Sequence, residues 1–147
     1  MGKSKYLTCL FFICNIILPA GRSITKEDIV NLQYVSSPSF SPMGDNICYV
    51  LSVPRTDKEK PGSRHSQIWV KRINDQAPIQ FTSSAYNSYS PQWSSDGTKI
   101  TFLSNRKELS ENTQLFQIPI DGGEASLLLE HSAGVNTYSW SPDGKWL

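Results

Sequence analysis

The chain has 147 residues, a size suited to one domain, with 38% hydrophobic, 18% charged and 11% aromatic residues and a formal net charge of +1. That balance excludes a charge-driven disordered chain, and one long apolar run is too few for a multi-pass membrane protein. Nine glycines and three cysteines exclude collagen-like and disulfide-scaffold chains, and the near-neutral charge gives no reason to expect a nucleic-acid partner.

Residues 1–23 read as a secretory signal peptide. Lys3 and Lys5 form a basic start, and Leu7 to Leu18 is an apolar run interrupted by Thr8 and Asn15. Pro19 to Ser23 supplies a small, turn-forming end. The run is 12 residues long, short of the roughly 20 that a spanning helix needs. The expected product is secreted or periplasmic, with no stable membrane anchor after cleavage. Cleavage removes Lys3, Lys5 and Arg22, leaving 11 basic against 13 acidic residues and a formal charge of −2. A mildly acidic product implies neither nucleic acid nor an anionic membrane as partner. Cys9 and Cys14 leave with the signal, so Cys48 has no internal disulfide partner and reads as a small core residue.

Residues 24–35 form a short helical lead-in. Thr25 is placed as a helix cap, with Glu27 and Asp28 in the first turn. Ile29 and Leu32 are placed to dock this turn on a sheet.

The rest of the chain repeats. Phe40-Ser41-Pro42-Met43-Gly44 matches Trp93-Ser94-Ser95-Asp96-Gly97 and Trp140-Ser141-Pro142-Asp143-Gly144, with aromatic starts 53 and 47 residues apart. Gln67-Ile68-Trp69 matches Gln114-Leu115-Phe116 at an offset of 47. Phe40 to Trp69 is 29 residues and Trp93 to Phe116 is 23, so the first repeat carries six extra residues between its two motifs. The polar stretch Arg55 to Ser66 holds them and reads as a solvated hairpin loop.

Each repeat predicts four short strands. In the second repeat they span 89–94, 99–104, 113–120 and 125–130, separated by Asp96-Gly97 and Asp121-Gly122-Gly123 turns. Pro119 has no N–H to donate and is expected at a bulge or an outer position. Four strands at a period near 47 point to propeller blades. The expected architecture is all-β: an incomplete β-propeller with blade 1 at 36–88, blade 2 at 89–135 and the start of a third at 136–147. Phe40, Trp93 and Trp140, and likewise Trp69 and Phe116, are expected to pack between blades rather than to form a ligand platform. Asp96 and Asp143 read as turn formers and not as calcium ligands, because no acidic loop surrounds them. Met43-Gly44 in place of Asp-Gly is expected to weaken the first turn while keeping its glycine.

No catalytic motif occurs. The chain lacks G-x-S-x-G, H-E-x-x-H, C-x-x-C and a phosphate-binding loop. His65 and His131 fall in loop or strand-end positions, where nothing orients either against a serine. No catalytic residue, metal ligand or cofactor is expected in this chain.

Several segments together resemble a known family. Ile24 to Ile29, Ser37 to Pro42 and Ile47 to Ser52 are similar to the start of a mature prolyl-oligopeptidase-type serine peptidase, in the branch of acylaminoacyl and dipeptidyl peptidases. Ser90 to Gly97, Phe102 to Arg106 and Tyr138 to Lys145 are similar to its next blades. The blade motif is shared with TolB-like propellers; the lead-in and the long insert favour the peptidase branch. The resemblance implies a propeller that admits short peptides to a C-terminal α/β-hydrolase domain carrying a Ser-Asp-His triad. No residue of that triad can be assigned here.

Propellers close with about 4–8 blades. The expectation is therefore an N-terminal segment whose partners are the remaining blades, a hydrolase domain and short peptide substrates. A TolB-like exported propeller acting as a protein-binding scaffold is the alternative. A short secreted protein that completes its sheet with another chain is a third possibility.

Overall fold

A computed structural model describes residues 21–75, 77–82, 86–106 and 112–147. Most of the expected signal peptide, residues 1–20, lies outside them.

The fold is all-β apart from one helical turn. Thr25 caps α1 (Lys26–Val30): its side chain accepts from the Asp28 N–H while the Asp28 carboxylate accepts from the Thr25 N–H. Arg22 adds an ion pair to the same carboxylate. The expected docking of this turn does not occur. Ile29 and Leu32 are 64% and 62% exposed, and α1 buries no residue. Five residues give too short an apolar stripe to hold a helix on a sheet.

Eight strands follow: β1 (Tyr34–Phe40), β2 (Asn46–Val53), β3 (His65–Arg72), β4 (Ile79–Gln80), β5 (Ser88–Trp93), β6 (Lys99–Ser104), β7 (Gln114–Pro119) and β8 (Ser126–Leu129). They form two antiparallel four-stranded sheets, ordered β1-β2-β3-β4 and β5-β6-β7-β8. The four strands expected for the second repeat are present within one residue at each end. The first strand of the first sheet begins at Tyr34, two residues inside the expected lead-in.

Pro119 occupies the exposed last position of β7, opposite Lys99. Its missing N–H costs the ladder nothing, because Ile120 donates to Thr98 O at 2.9 Å just beyond it. The bulges lie elsewhere. Both inner strands break register at the same repeat position, between Ser36 and Ser39 on β1 and between Tyr89 and Gln92 on β5. Ser37 and Ser90 there have φ of 50° and 52°, each followed by a proline. An extra residue in the left-handed region bends a strand locally, and the proline at the bulge removes a donor that would otherwise lack a partner.

The two sheets share one core. Cys48, Val50, Ile68 and Val70 of the first sheet pack on Trp93, Ile100, Phe102, Phe116 and Ile118 of the second. Phe102 and Phe116 stack with centroids 6.1 Å apart. Burial of these side chains contributes on the order of 1.5–3 kcal/mol each. The other face of the second sheet, with Thr101, Leu103 and Leu115, is also buried, and Tyr138 and Trp140 reach it.

The aromatic expectation divides accordingly. Trp93 and Phe116 are buried between sheets, but Phe40 is 64% exposed. Phe40 is the repeat counterpart of Trp93, and among the described residues no sheet lies over its face. Residues 136–147 keep the turn of the third repeat but contain no strand. Ser141 N–H to Trp146 O, 2.9 Å, closes the turn without a ladder beyond it.

Candidate functional site

One end of the sheets is built from a single turn design used three times. Ser41, Ser94 and Ser141 each donate their backbone N–H to a carbonyl five residues on, and each accepts that residue's N–H on Oγ at 2.9–3.0 Å. Gly44, Gly97 and Gly144 donate back to the serine carbonyls. The serine hydroxyl then donates to a carboxylate: Asp45 at 2.7 Å, Asp96 at 2.6 Å and Asp143 at 2.6 Å. The first turn thus recovers, through Asp45, the carboxylate that Met43 does not provide. The sequence reading missed this because the aspartate sits two positions later.

These bonds favour the ionised carboxylates. The Ser94 hydroxyl, followed by the Thr98 N–H, holds Asp96 down at about 2. Ser41 lowers Asp45, and Ser141 lowers Asp143. Asp96 and Asp143 are therefore turn residues in geometry as well as in sequence.

Asp45, Asp96 and Asp121 join Asp75 and Arg72 around a cleft of about 480 Å³ between the turn ends. Two of its four carboxylates are already engaged by their own turns. Among the described residues no group of three or more His, Cys, Asp or Glu is placed to hold a metal ion. With four carboxylates and one guanidinium its lining carries net negative charge, and among the described residues it brings no nucleophile to a base. A second cleft of about 400 Å³ opens beside the inner strands, lined by Phe40, Trp93, Trp140, Pro42, Pro142 and Gln92. It offers apolar contact with a few amide and hydroxyl groups.

The two histidines lie toward the other end. His65 Nε2 is 2.6 Å from Glu59 Oε1. His131 Nδ1 accepts the Ala133 N–H at 3.2 Å. Among the described residues neither ring is hydrogen-bonded to a serine hydroxyl.

Two features were not anticipated. Gln67 and Gln114, both buried, act as repeat-matched pins. Gln67 donates to Tyr86 O at 2.7 Å and accepts from the Thr82 hydroxyl at 2.7 Å. Gln114 donates to His131 O at 2.9 Å and accepts the His131 N–H at 2.8 Å. Each ties a third strand to the chain leaving its blade; a polar residue recurring at offset 47 within an apolar motif was the available signal. Tyr138 is the second feature. Its hydroxyl lies 2.7 Å from Ser90 O and 2.6 Å from Thr101 O, and burial raises its phenol above the usual range.

Comparison with known proteins agrees with this architecture. Residues 14–147 match the TolB beta propeller domain. The uncharacterized peptidase YuxL of Bacillus subtilis is 33% identical over 83% of this chain and 18% of its own length. Dipeptidyl-peptidase 5 of Porphyromonas gingivalis is 29% identical over 85% of this chain and 17% of its own. The chain thus spans less than a fifth of the length of these relatives. Among solved structures, the acylaminoacyl peptidase of Pyrococcus horikoshii aligns with TM-score 0.59 at 20% identity, over 79% of this chain and 17% of that one. A putative TolB from Agrobacterium tumefaciens aligns with TM-score 0.51 at 26% identity, over 75% of this chain and 39% of that one. The fold is that of a β-propeller, represented by two blades and the opening turn of a third.

Proposed function

Because the chain belongs to the TolB beta propeller domain family, we propose that it is the non-catalytic, N-terminal propeller part of an exported serine peptidase acting on short peptides. The observation that carries this reading is its likeness to two peptidases across more than four-fifths of its own length but less than a fifth of theirs. In this reading the propeller restricts entry to an α/β-hydrolase domain, and its inner strands and aromatic cleft border the route that a peptide takes.

Export rests on the basic and apolar character of residues 1–23. Among the described residues no helix is long and apolar enough to cross a membrane.

The test uses the complete gene product. It should label with a serine-directed fluorophosphonate, hydrolyse short peptides and spare folded proteins, while residues 24–147 alone show no turnover. Turnover by that segment, or a complete product that neither labels nor cleaves peptides, overturns the reading. The mature product should begin near Ile24 by mass spectrometry.

The second reading, an exported propeller that binds other proteins and has no catalytic domain, is favoured by one observation: the similarity to the putative TolB at 26% identity. It predicts a complete product made of further blades alone.

A further inference from the structure

The open face of the first sheet repeats, strand for strand, a face that the second sheet buries. Directly paired residues on neighbouring strands share a face. On the first sheet Phe40 pairs with Ile47, Tyr49 with Trp69 and Val35 with Leu51, which places these six side chains together. At the same repeat positions the second sheet has Trp93 opposite Ile100 and Phe102 opposite Phe116. Those four are buried against Cys48, Val50, Ile68 and Val70. Phe40 and Val35 are instead 64% and 59% exposed, and Ile47, Tyr49, Leu51 and Trp69 are half-buried. A contiguous apolar sheet face of this kind calls for a covering layer.

The face differs from its counterpart at two places. Phe40 stands where Trp93 carries an indole N–H, so it makes no donor tie like the one from Trp93 to Ser39 O. Lys71, paired with Ile47, stands where Ile118 pairs with Ile100. Its ammonium donates to the carbonyls of Arg72 and Asp75, at the end of the strand, and leaves the rest of the face apolar.

A second copy of the described chain has no matching surface to offer. The surface that receives the second sheet, Val50 and Ile68 with their neighbours, is already covered by it. Its repeat counterpart, around Leu103 and Leu115, is fully buried, and Tyr138 and Trp140 reach that face. Among the described residues both faces of this kind are therefore in use. In a ring of radially repeated sheets each blade turns one face to its predecessor and the other to its successor. The known relatives supply further length for such blades: even the putative TolB is covered over only 39% of its own chain.

We propose that the face built on Phe40, Tyr49 and Trp69 is the closing seam of the ring, on which the last blade of the same protein seats by apolar contact. That blade presents a face of the Cys48, Val50, Ile68 and Val70 kind. The inference rests on the propeller fold and not on peptidase activity, so its failure is distinguishable from failure of the function proposed above.

The test uses the complete gene product, with the photo-crosslinking residue p-benzoylphenylalanine in place of Phe40. Irradiation should join two segments of one chain, with a yield unchanged on dilution. Mass spectrometry should place the second segment in the repeat that begins at the last aromatic-Ser-x-Asp-Gly turn of the sequence. An adduct of twice the mass, a cross-link to any other segment, or none at all overturns the seam. Wild type supplies a second readout that needs no variant. In hydroxyl-radical footprinting of the complete product, Tyr49 and Trp69 should be protected to the level of Phe102 and Phe116, once intrinsic reactivities are corrected. Oxidation of Tyr49 and Trp69 at rates closer to those of the unfolded product overturns the proposal.

Discussion

Trp93 of β5 donates its indole N–H to the backbone carbonyl of Ser39 on β1, 3.0 Å away, and so links the two sheets at their inner strands. The ring itself is 92% buried in the shared core, because only 8% of it remains exposed. One side chain therefore contributes both apolar packing and a hydrogen bond to β1 beside its bulge. Trp93→Phe should cost about 0.5–1.5 kcal/mol, chiefly by losing that hydrogen bond. Trp93→Ala should cost about 3–5 kcal/mol by adding a cavity. Urea denaturation followed by circular dichroism would separate the two; equal losses would mean that the packing of the buried ring contributes nothing beyond the hydrogen bond.

The turns pack on one another in a way that distinguishes otherwise equivalent glycines. Gly97 and Gly144 have φ of 70° and 67°, a region that favours glycine. A Cβ on Gly97 would meet Pro42 Cδ at 3.4 Å, ordinary contact, whereas one on Gly144 would lie 2.5 Å from Ser95 Cβ. Gly97→Ala should cost about 1–2 kcal/mol from backbone conformation alone. Gly144→Ala should cost more, and Ser95→Gly in the same chain should recover the excess. Thermal melts of the three variants check the order; identical losses at both glycines would show that the Ser95 contact has no consequence.

The parts of this fold that were legible in the sequence are those set by local chemistry. Asp96-Gly97 and Asp121-Gly122 marked turns, and the alternation between them marked β6 and β7. What escaped depends on neighbours. Phe40 and Trp93 occupy the same repeat position, but among the described residues a sheet packs over Trp93 and none over Phe40. Ile29 and Leu32 had the apolar character for docking, yet five helical residues do not hold a surface. The Ser37 and Ser90 bulges were written as repeated Ser-Pro pairs, whose meaning appears only when the register with the partner strand is known. At the candidate site, Asp96 was read as a turn former, whereas the matching role of Asp45 was missed because it sits two positions later in its turn. The pairing of Glu59 with His65 was not foreseen, because it depends on how a polar loop folds back on its own strand.

The turn carboxylates predict acid sensitivity of a definite sign. Asp96 lies at about 2 in the folded chain, held there first by the Ser94 hydroxyl. An unperturbed aspartate titrates near about 3.9. A folded value below the unfolded one gives stability that is present above about pH 4 and lost as pH falls toward 2. Asp96→Asn should lower the urea midpoint at neutral pH, and the gap to wild type should close between about pH 4 and 2. A gap that stays constant through that range would show that the carboxylate's charge does not stabilise the turn.

Cys48 gives the opposite pH dependence. It is fully buried on β2 against the second sheet, and burial pushes its thiol up to about 12. The folded state therefore keeps the proton that the unfolded chain releases near about pH 8.5. Stability supplied by this difference is complete below that value and declines as pH rises toward 12, because only the unfolded state gains from ionisation. In a chain with Cys9→Ser and Cys14→Ser, a maleimide should label Cys48 no faster than the protein unfolds. Adding Cys48→Ala to that background should weaken the chain at neutral pH by leaving a small cavity, yet flatten its decline between about pH 8.5 and 10. Rapid labelling of the native chain would place the thiol outside the core. An alkaline decline unchanged by Cys48→Ala would assign that sensitivity to another group.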